Sequence, residues 1–332
     1  MTQDWIVLFC LAAVIVWAGS RLARYGDMIA EKTGMGRTWI GAVLVAATTS
    51  LPELFAGFGA TAVFPLPEIA VGDVLGSCMF NLLILSLMDA VGGNVPLSSR
   101  VGPGHALSLG FGCITAGIVG LAIFAGPKLP AIGWIGISTP LLIFVYLVSA
   151  RLTYEYERRR LQGQASEVAE ALQYADTPLR KIWPPYLFFA IVVVAAAIFL
   201  PRTGESIAKS SGLDQSFVGA LLIAIATSLP EISVSLAAVR FGAIDLAMGN
   251  VLGSNLFNIL ILALDDVWYR QGPLLAAVDS KHSIAVLAVL TMNGILLVGL
   301  TYQMLRKKMV LSWDTFAIAA VYVCAIALYL VL

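Results

Sequence analysis

Glu53 and Glu231 stand near the middles of long apolar runs, each inside the pentapeptide T-S-L-P-E. An ionisable side chain costs about 2.5–3.5 kcal/mol at the centre of a bilayer-spanning helix, so its presence there reads as a functional site. The neighbouring residues suit cation coordination. Pro52 has no N–H and frees the carbonyl of Thr48, and Pro230 does the same for Ala226. Carbonyls freed at membrane depth persist only where protein or a polar cavity satisfies them, and a dehydrated Na⁺ or Ca²⁺ does so. Thr49 and Ser50 stand four and three residues before Glu53, on its helical face, and Thr227 and Ser228 repeat the arrangement before Glu231.

Two further runs bring complementary groups. Ser77 and Asn81 are four apart, as are Ser254 and Asn258, so each pair shares a helix face. Gly72, Gly76, Gly249 and Gly253 permit the close helix approach that small residues give in membranes. Together these are hard oxygen donors of the kind calcium takes six to eight of. The absence of a His or Cys cluster in the sequence argues against zinc or copper. Two carboxylates neutralise one divalent ion.

The elements that position these groups are membrane helices. Of 332 residues, 59% are hydrophobic and 12% charged, with mean hydropathy +0.90. Ordinary soluble domains are about 25% charged, so this composition excludes a water-soluble fold and also disorder. Twenty basic residues balance twenty acidic ones, which gives no reason to expect nucleic acid. Cys10, Cys78, Cys113 and Cys324 are scattered in apolar runs and read as small buried side chains.

Spanning the bilayer takes roughly 20 apolar residues, and ten such runs lie near 4–25, 37–62, 66–90, 104–125, 130–150, 184–203, 214–239, 242–267, 281–302 and 312–332. The first has neither a basic leader nor a small-residue cleavage site and reads as a retained helix. One long charged connection divides the chain into 1–150, a linker at 151–183, and 184–332. Placing that linker in the cytoplasm leaves only Lys128, Arg202, Lys209, Arg270 and Lys281 on the opposite face, as the positive-inside rule requires. Arg21, Arg24, Lys32, Arg37 and the remaining basic residues then face the cytoplasm, and both termini lie outside.

The two parts repeat. Residues 33–57 align with 211–235 at an offset of 178, and 72–89 with 249–266 at an offset of 177; the second offset also pairs Glu68 with Asp245 and His105 with His282. Five spans per repeat is an odd number, so the repeats insert with opposite orientation. The expected fold is an all-α membrane protein of ten transmembrane helices as two inverted five-helix repeats. In secondary transporters of this design the binding site lies at the midplane where the repeats meet.

The paired T-S-L-P-E segments, each followed by G-[DN]-V-L-G-S-x-x-F-N, resemble the two alpha repeats of the cation/calcium exchanger superfamily, especially its sodium/calcium branch. The resemblance implies an antiporter that exports Ca²⁺ against inward Na⁺ by alternating access. It makes Glu53 and Glu231 the central ligands, completed by Asn81 and Asn258. Thr49, Ser50, Ser77, Thr227, Ser228 and Ser254 surround them, and the Ala46 and Ala224 carbonyls serve flanking sodium sites. The first and sixth spans would slide against the other eight.

Thr48 and Ala226 depart from the family's usual Gly and enlarge those positions. Asn258 stands where some members carry Asp, which argues against the potassium-dependent branch. Asp73, opposite Asn250, reads as an ordinary helix-end acid ahead of a vestibule residue; Asp89 and Asp266 read as solvated span ends, and His105 and His282 as interfacial. The expected partners are inorganic cations and the lipid bilayer, with no tightly bound cofactor, in a protein acting as a monomer in a prokaryotic plasma membrane. Proton coupling on the same fold is the alternative, since two buried carboxylates can exchange protons for a divalent ion. A cation channel is a weaker reading, and no nucleotide loop, zinc motif or nucleophile–base pair suggests an enzyme.

Overall fold

The computed structural model describes residues 2–32, 46–163 and 178–332. Residues 33–45, with Arg37 and the N-terminal part of the first repeat, and 164–177 of the linker lie outside the described residues.

Two helices of 25 residues, α4 (Pro67–Val91) and α11 (Ile244–Trp268), form the centre. Each is mostly apolar, and polar side chains such as Asn81 on α4 and Asn258 on α11 are buried with the rest. About 78% of the apolar stretch of α4 and 72% of that of α11 is buried, against 28–39% for α1 (Thr2–Lys32), α5 (His105–Ala125), α7 (Leu179–Ser211) and α13 (Trp313–Val331). The outer helices expose Phe9, Phe124, Ile191, Phe199 and Phe316, a surface made for lipid. Between centre and rim lie the short helices α2 (Ala46–Thr49) and α3 (Leu51–Phe58), then α6 (Ser138–Gly163). In the second part lie α8 (Gln215–Val218), α9 (Ala224–Thr227), α10 (Leu229–Arg240) and α12 (His282–Tyr302). Among the described residues seven helices are long and apolar enough to cross a membrane, or eight if the pair bent by 47° at Ser228 counts as one span.

Gly72 and Gly76 let the π-helical turn Gly219–Ile223 lie on α4: a Cβ on Gly72 would stand 2.9 Å from the Ser216 carbonyl oxygen, and one on Gly76 would meet the Ala220 carbonyl. Helices α1 and α7 lie against one another. Small clusters of Ala18, Leu22 and Val193, and of Met28, Ile29 and Ile182, join them apart from the main core.

The run at 130–150 does not begin as a helix. Ala131–Ile132 and Ile135–Gly136 pair as a two-stranded antiparallel hairpin, with Gly133 at φ +67° in the turn. Helix α6 starts at Ser138 and continues past 150, carried into water by Glu155 paired with Arg151 and Arg159 one turn to either side.

Asp89 and Asp266 are not solvated span ends. Both are buried. Asp89 accepts the Leu97 N–H at 2.8 Å, the Ser312 N–H at 2.8 Å and the Thr315 hydroxyl at 2.9 Å, and Lys307 Nζ lies 2.9 Å away. Asp266 accepts the Leu274 N–H at 2.6 Å, the Gly136 N–H at 2.8 Å and the Thr139 hydroxyl. Each aspartate therefore ties a central helix to the connection eight residues on and to the start of the last helix of the other repeat. His105 and His282 are likewise tied down. His105 Nε2 meets Asp245 at 3.0 Å, and His282 Nε2 meets Glu68 at 2.8 Å. The same acids accept the N–H groups of Gly102 and Asp279. Each histidine thus pairs with the acid of the other repeat, at positions the 177-residue offset relates.

Removing one partner of a buried ion pair costs about 3–5 kcal/mol because the other charge is stranded. Asp89→Ala, which strands Lys307, should lower the melting temperature in detergent more than Asp266→Ala. Adding Lys307→Met to Asp89→Ala should recover part of the loss.

Candidate ion-binding site

The helix breaks at Ser50 and Ser228 create the site. Both residues hold φ −87°, with ψ 12° and 8°, so α2 ends before Ser50 and α9 before Ser228. Pro52 and Pro230 then fall in the first turns of α3 and α10, where a missing N–H costs nothing. Glu53 and Glu231 follow directly, in the same first turns. The unpaired N–H groups and positive dipole end of a helix favour a carboxylate there.

The two broken segments exchange hydrogen bonds. Ser50 Oγ donates to Glu231 at 3.0 Å, and Ser228 Oγ donates to Glu53 at 2.8 Å. Ser254 Oγ reaches the same Glu231 oxygen at 3.4 Å. Ser77 and Thr227 hydroxyls lie 3.4 Å apart. Thr49 donates to Asn250 at 3.4 Å, and Thr227 to Asp73 at 3.0 Å, again at positions related by the repeat. The ten side chains from Thr49 to Asn258 named from the sequence are all 0% exposed.

What distinguishes the centre is what lacks a partner. Glu53 Oε2, Glu231 Oε2 and both amide atoms of Asn81 and of Asn258 are buried with no hydrogen-bond partner. A buried polar group left unmade costs about 1–3 kcal/mol, more when charged. Six such atoms lie on α3, α4, α10 and α11, which the hydrogen bonds above join into one cage. Its oxygens are carboxylate, amide and hydroxyl, hard donors of the kind Na⁺ and Ca²⁺ take. The Ala46 and Ala224 carbonyls are engaged: Ala46 accepts the Ser50 N–H and the Thr49 hydroxyl, and Ala224 those of Ser228 and Thr227.

Asp73 is not a helix-end acid. It is 1% exposed and bonded to Thr227. Its partner position, Asn250, links Thr49 to Ser235. The alignment of Asp73 with Asn250 carries this signal, since both lie one turn before the Ser of their helix. Asp265, fully buried in α11, is absent from the sequence reading altogether. The bulk of Thr48 is taken up by Gly26 of α1, where a Cβ would stand 3.2 Å from the Thr48 hydroxyl; that hydroxyl lies 3.5 Å from Tyr186.

The pattern of the sodium/calcium exchanger protein family matches residues 4–153 and 183–331. The chain belongs to this family. It is a multi-pass integral membrane protein of an exchanger family that moves inorganic cations, a transporter family rather than an enzyme family. The sodium/calcium exchanger MaX1 of Methanosarcina acetivorans is 24% identical over 81% of this chain and 84% of its own. The sodium-calcium exchanger NCX_Mj shares the fold, with a TM-score of 0.65 at 22% identity over 98% of this chain and 99% of that one. An H⁺/Ca²⁺ exchanger, CAX, gives a TM-score of 0.72 at 12% identity over 99% of this chain and 86% of that one. Both likenesses are to an all-α membrane fold.

Because the Asn81 and Asn258 amides have no protein partners, Asn81→Leu and Asn258→Leu should leave this exchanger's melting temperature in ion-free detergent unchanged or higher. The stabilisation produced by added Ca²⁺ should shrink in both, since a ligand stabilises only in proportion to its binding. A variant that melts lower without ions and keeps the full calcium increment would show that these amides pack helices only.

Proposed function

We propose that the chain is a secondary antiporter that exchanges Ca²⁺ for Na⁺ by alternating access. The observation that carries this reading is the cage of unpartnered buried oxygens around Glu53 and Glu231. Residues 1–150 and 184–332 act as two five-helix repeats in opposite orientation, joined by the linker at 151–183. The reciprocal hydrogen bonds at offsets of 177 and 178 support this, because each bond has a mate in which the repeats exchange roles.

Calcium sits between the two carboxylates, with Asn81 and Asn258 completing its shell. Sodium uses the same acids together with Thr49, Ser50, Ser77, Thr227, Ser228 and Ser254. Flanking sodium uses the Ala46 and Ala224 carbonyls, in exchange for the hydrogen bonds they accept from Ser50 and Thr49 and from Ser228 and Thr227. Helices α1 and α7, joined by their own small clusters, slide as a pair across the broken helices, with Gly19 against Pro230 and Gly26 against Thr48 as contact points. The protein works as a monomer in a prokaryotic plasma membrane, its linker cytoplasmic and its termini outside, in keeping with its basic residues.

Proton coupling is the second reading, favoured by the close likeness to the H⁺/Ca²⁺ exchanger fold. The hydroxyls lining the cage favour sodium, since a proton needs only one oxygen. In proteoliposomes an outward Na⁺ gradient should drive uptake of radioactive calcium, and Glu53→Gln and Glu231→Gln should each abolish it. Uptake driven by a pH jump without sodium, and indifferent to a Na⁺ gradient, would replace the sodium reading with the proton one.

A further inference from the structure

Asp265 lies in the last turns of α11 and is 0% exposed, and neither of its carboxyl oxygens has a hydrogen-bond partner. It rests on the backbone of α3. A Cβ on Gly57 would stand 2.8 Å from Asp265 Cγ and closer still to both of its oxygens, so the missing side chain of Gly57 is the space the carboxyl fills. Gly57 is four residues after Glu53, on the same helical face and about 6 Å further along the axis. Asp265 therefore lies one turn beyond the cage, along the face that carries Glu53.

The repeat has no second copy of this group. The position related to Asp265 by the 177-residue offset is Met88, which is buried in the core. Asp73 is likewise the acidic member of an unequal pair with Asn250. Both acids belong to the same end of the central helices: Asp73 is near the start of α4 and Asp265 near the end of α11. The cage is symmetric in its glutamates, whereas neither Asp73 nor Asp265 has an acidic mate in the other repeat.

Among the described residues no side chain donates a hydrogen bond to Asp265. Its neighbour on α11, Asp266, and Asp73 on α4 are both acids. Helix α3 presents the Gly57 backbone, with Glu53 one turn back and engaged by Ser228. Helix α10 carries Glu231, engaged by Ser50. Helix α6 meets α11 through Thr139 at Asp266 and Tyr146 at Phe257, and Phe58 packs on Trp268. Among the described residues no three His, Cys, Asp or Glu side chains group as a metal site needs. A metal ion wants several oxygens, whereas a proton is satisfied by one. An isolated ionised carboxylate in an apolar interior costs far more than its neutral form.

We propose that Asp265 is a proton-binding site, loaded and emptied from the membrane face at which α11 ends, and that it makes exchange sensitive to pH on that face only. Its protonation chemistry is independent of the transport reading; its effect on exchange rests on that reading.

Infrared difference spectroscopy of the purified full chain in Na⁺- and Ca²⁺-free buffer tests the site itself. Wild type minus Asp265→Asn should contain a carboxylic-acid C=O band at neutral pH that disappears on alkaline titration. A difference spectrum with carboxylate bands and no acid band would overturn the proposal, whether or not the protein transports. Asp265→Met, which installs the residue found at the related position, should give the same loss of the band and controls for the amide. In proteoliposomes of fixed orientation, calcium exchange should change by up to about tenfold per pH unit applied on one face. The same pH step on the other face should have no effect, and Asp265→Asn should abolish the one-sided response. Equal responses from both faces, or a response unchanged in Asp265→Asn, would refute its coupling to transport. An intact acid band with no exchange at all would instead refute the antiporter reading.

Discussion

The structure depends on one electrostatic constraint: two carboxylates cannot share a dry interior as bare charges, and need metal cations or protons to neutralise them. Glu53 and Glu231 are both fully buried, each with one oxygen held by a serine from the opposite broken helix and the other oxygen unpartnered. Hydrogen bonds from two hydroxyls do not neutralise two charges. The helix N-termini help, since each glutamate lies in a first turn; a divalent ion, two monovalent ions or two protons would complete the balance. The unpartnered amides of Asn81 and Asn258 point to the same conclusion from the neutral side, because an amide left without partners is retained only where something else uses it.

The rest of the fold holds that unfavourable centre in place. Glycines at 72 and 76 bring the backbone of 216–220 onto α4 closely enough that side-chain hydroxyls, which are short, reach across. Asp89 and Asp266 fix the far ends of the central helices, and the histidine–acid pairs fix their near ends. The centre is thus clamped at four corners, while α1 and α7 join each other through two small apolar clusters and reach the main core through Leu8 and Ile15 of α1 and Ala197, Leu200 and Ile207 of α7.

Much of this was legible in the sequence. A glutamate inside T-S-L-P-E, twice, announces a charged site at membrane depth, and the offset between copies announces that it is built from two related parts. The ends of the spans were less legible. Asp89 and Asp266 look like ordinary helix-end acids because hydropathy records where a helix leaves the apolar run, not what folds back over it; the Pro-Leu pairs at 96–97 and 273–274 were the trace left in the sequence. The stretch 130–137 is apolar enough for a span, yet its glycines make a hairpin. Helix α6 outlasts its apolar run because ion pairs one turn apart support it in water. Asp265 was hidden by the repeat itself, since aligning L-M-D with L-D-D draws the eye to the shared second acid and away from the unmatched one.

The central claim is that Glu53 and Glu231 share one cation. Anomalous diffraction from crystals soaked in strontium, a calcium-sized ion, locates such an ion without reference to transport. A single peak bridging the unpartnered oxygens of the two glutamates, with Asn81 or Asn258 in its shell, is the predicted result. A strongly bound peak elsewhere, or none between the glutamates at saturating strontium, would contradict the account.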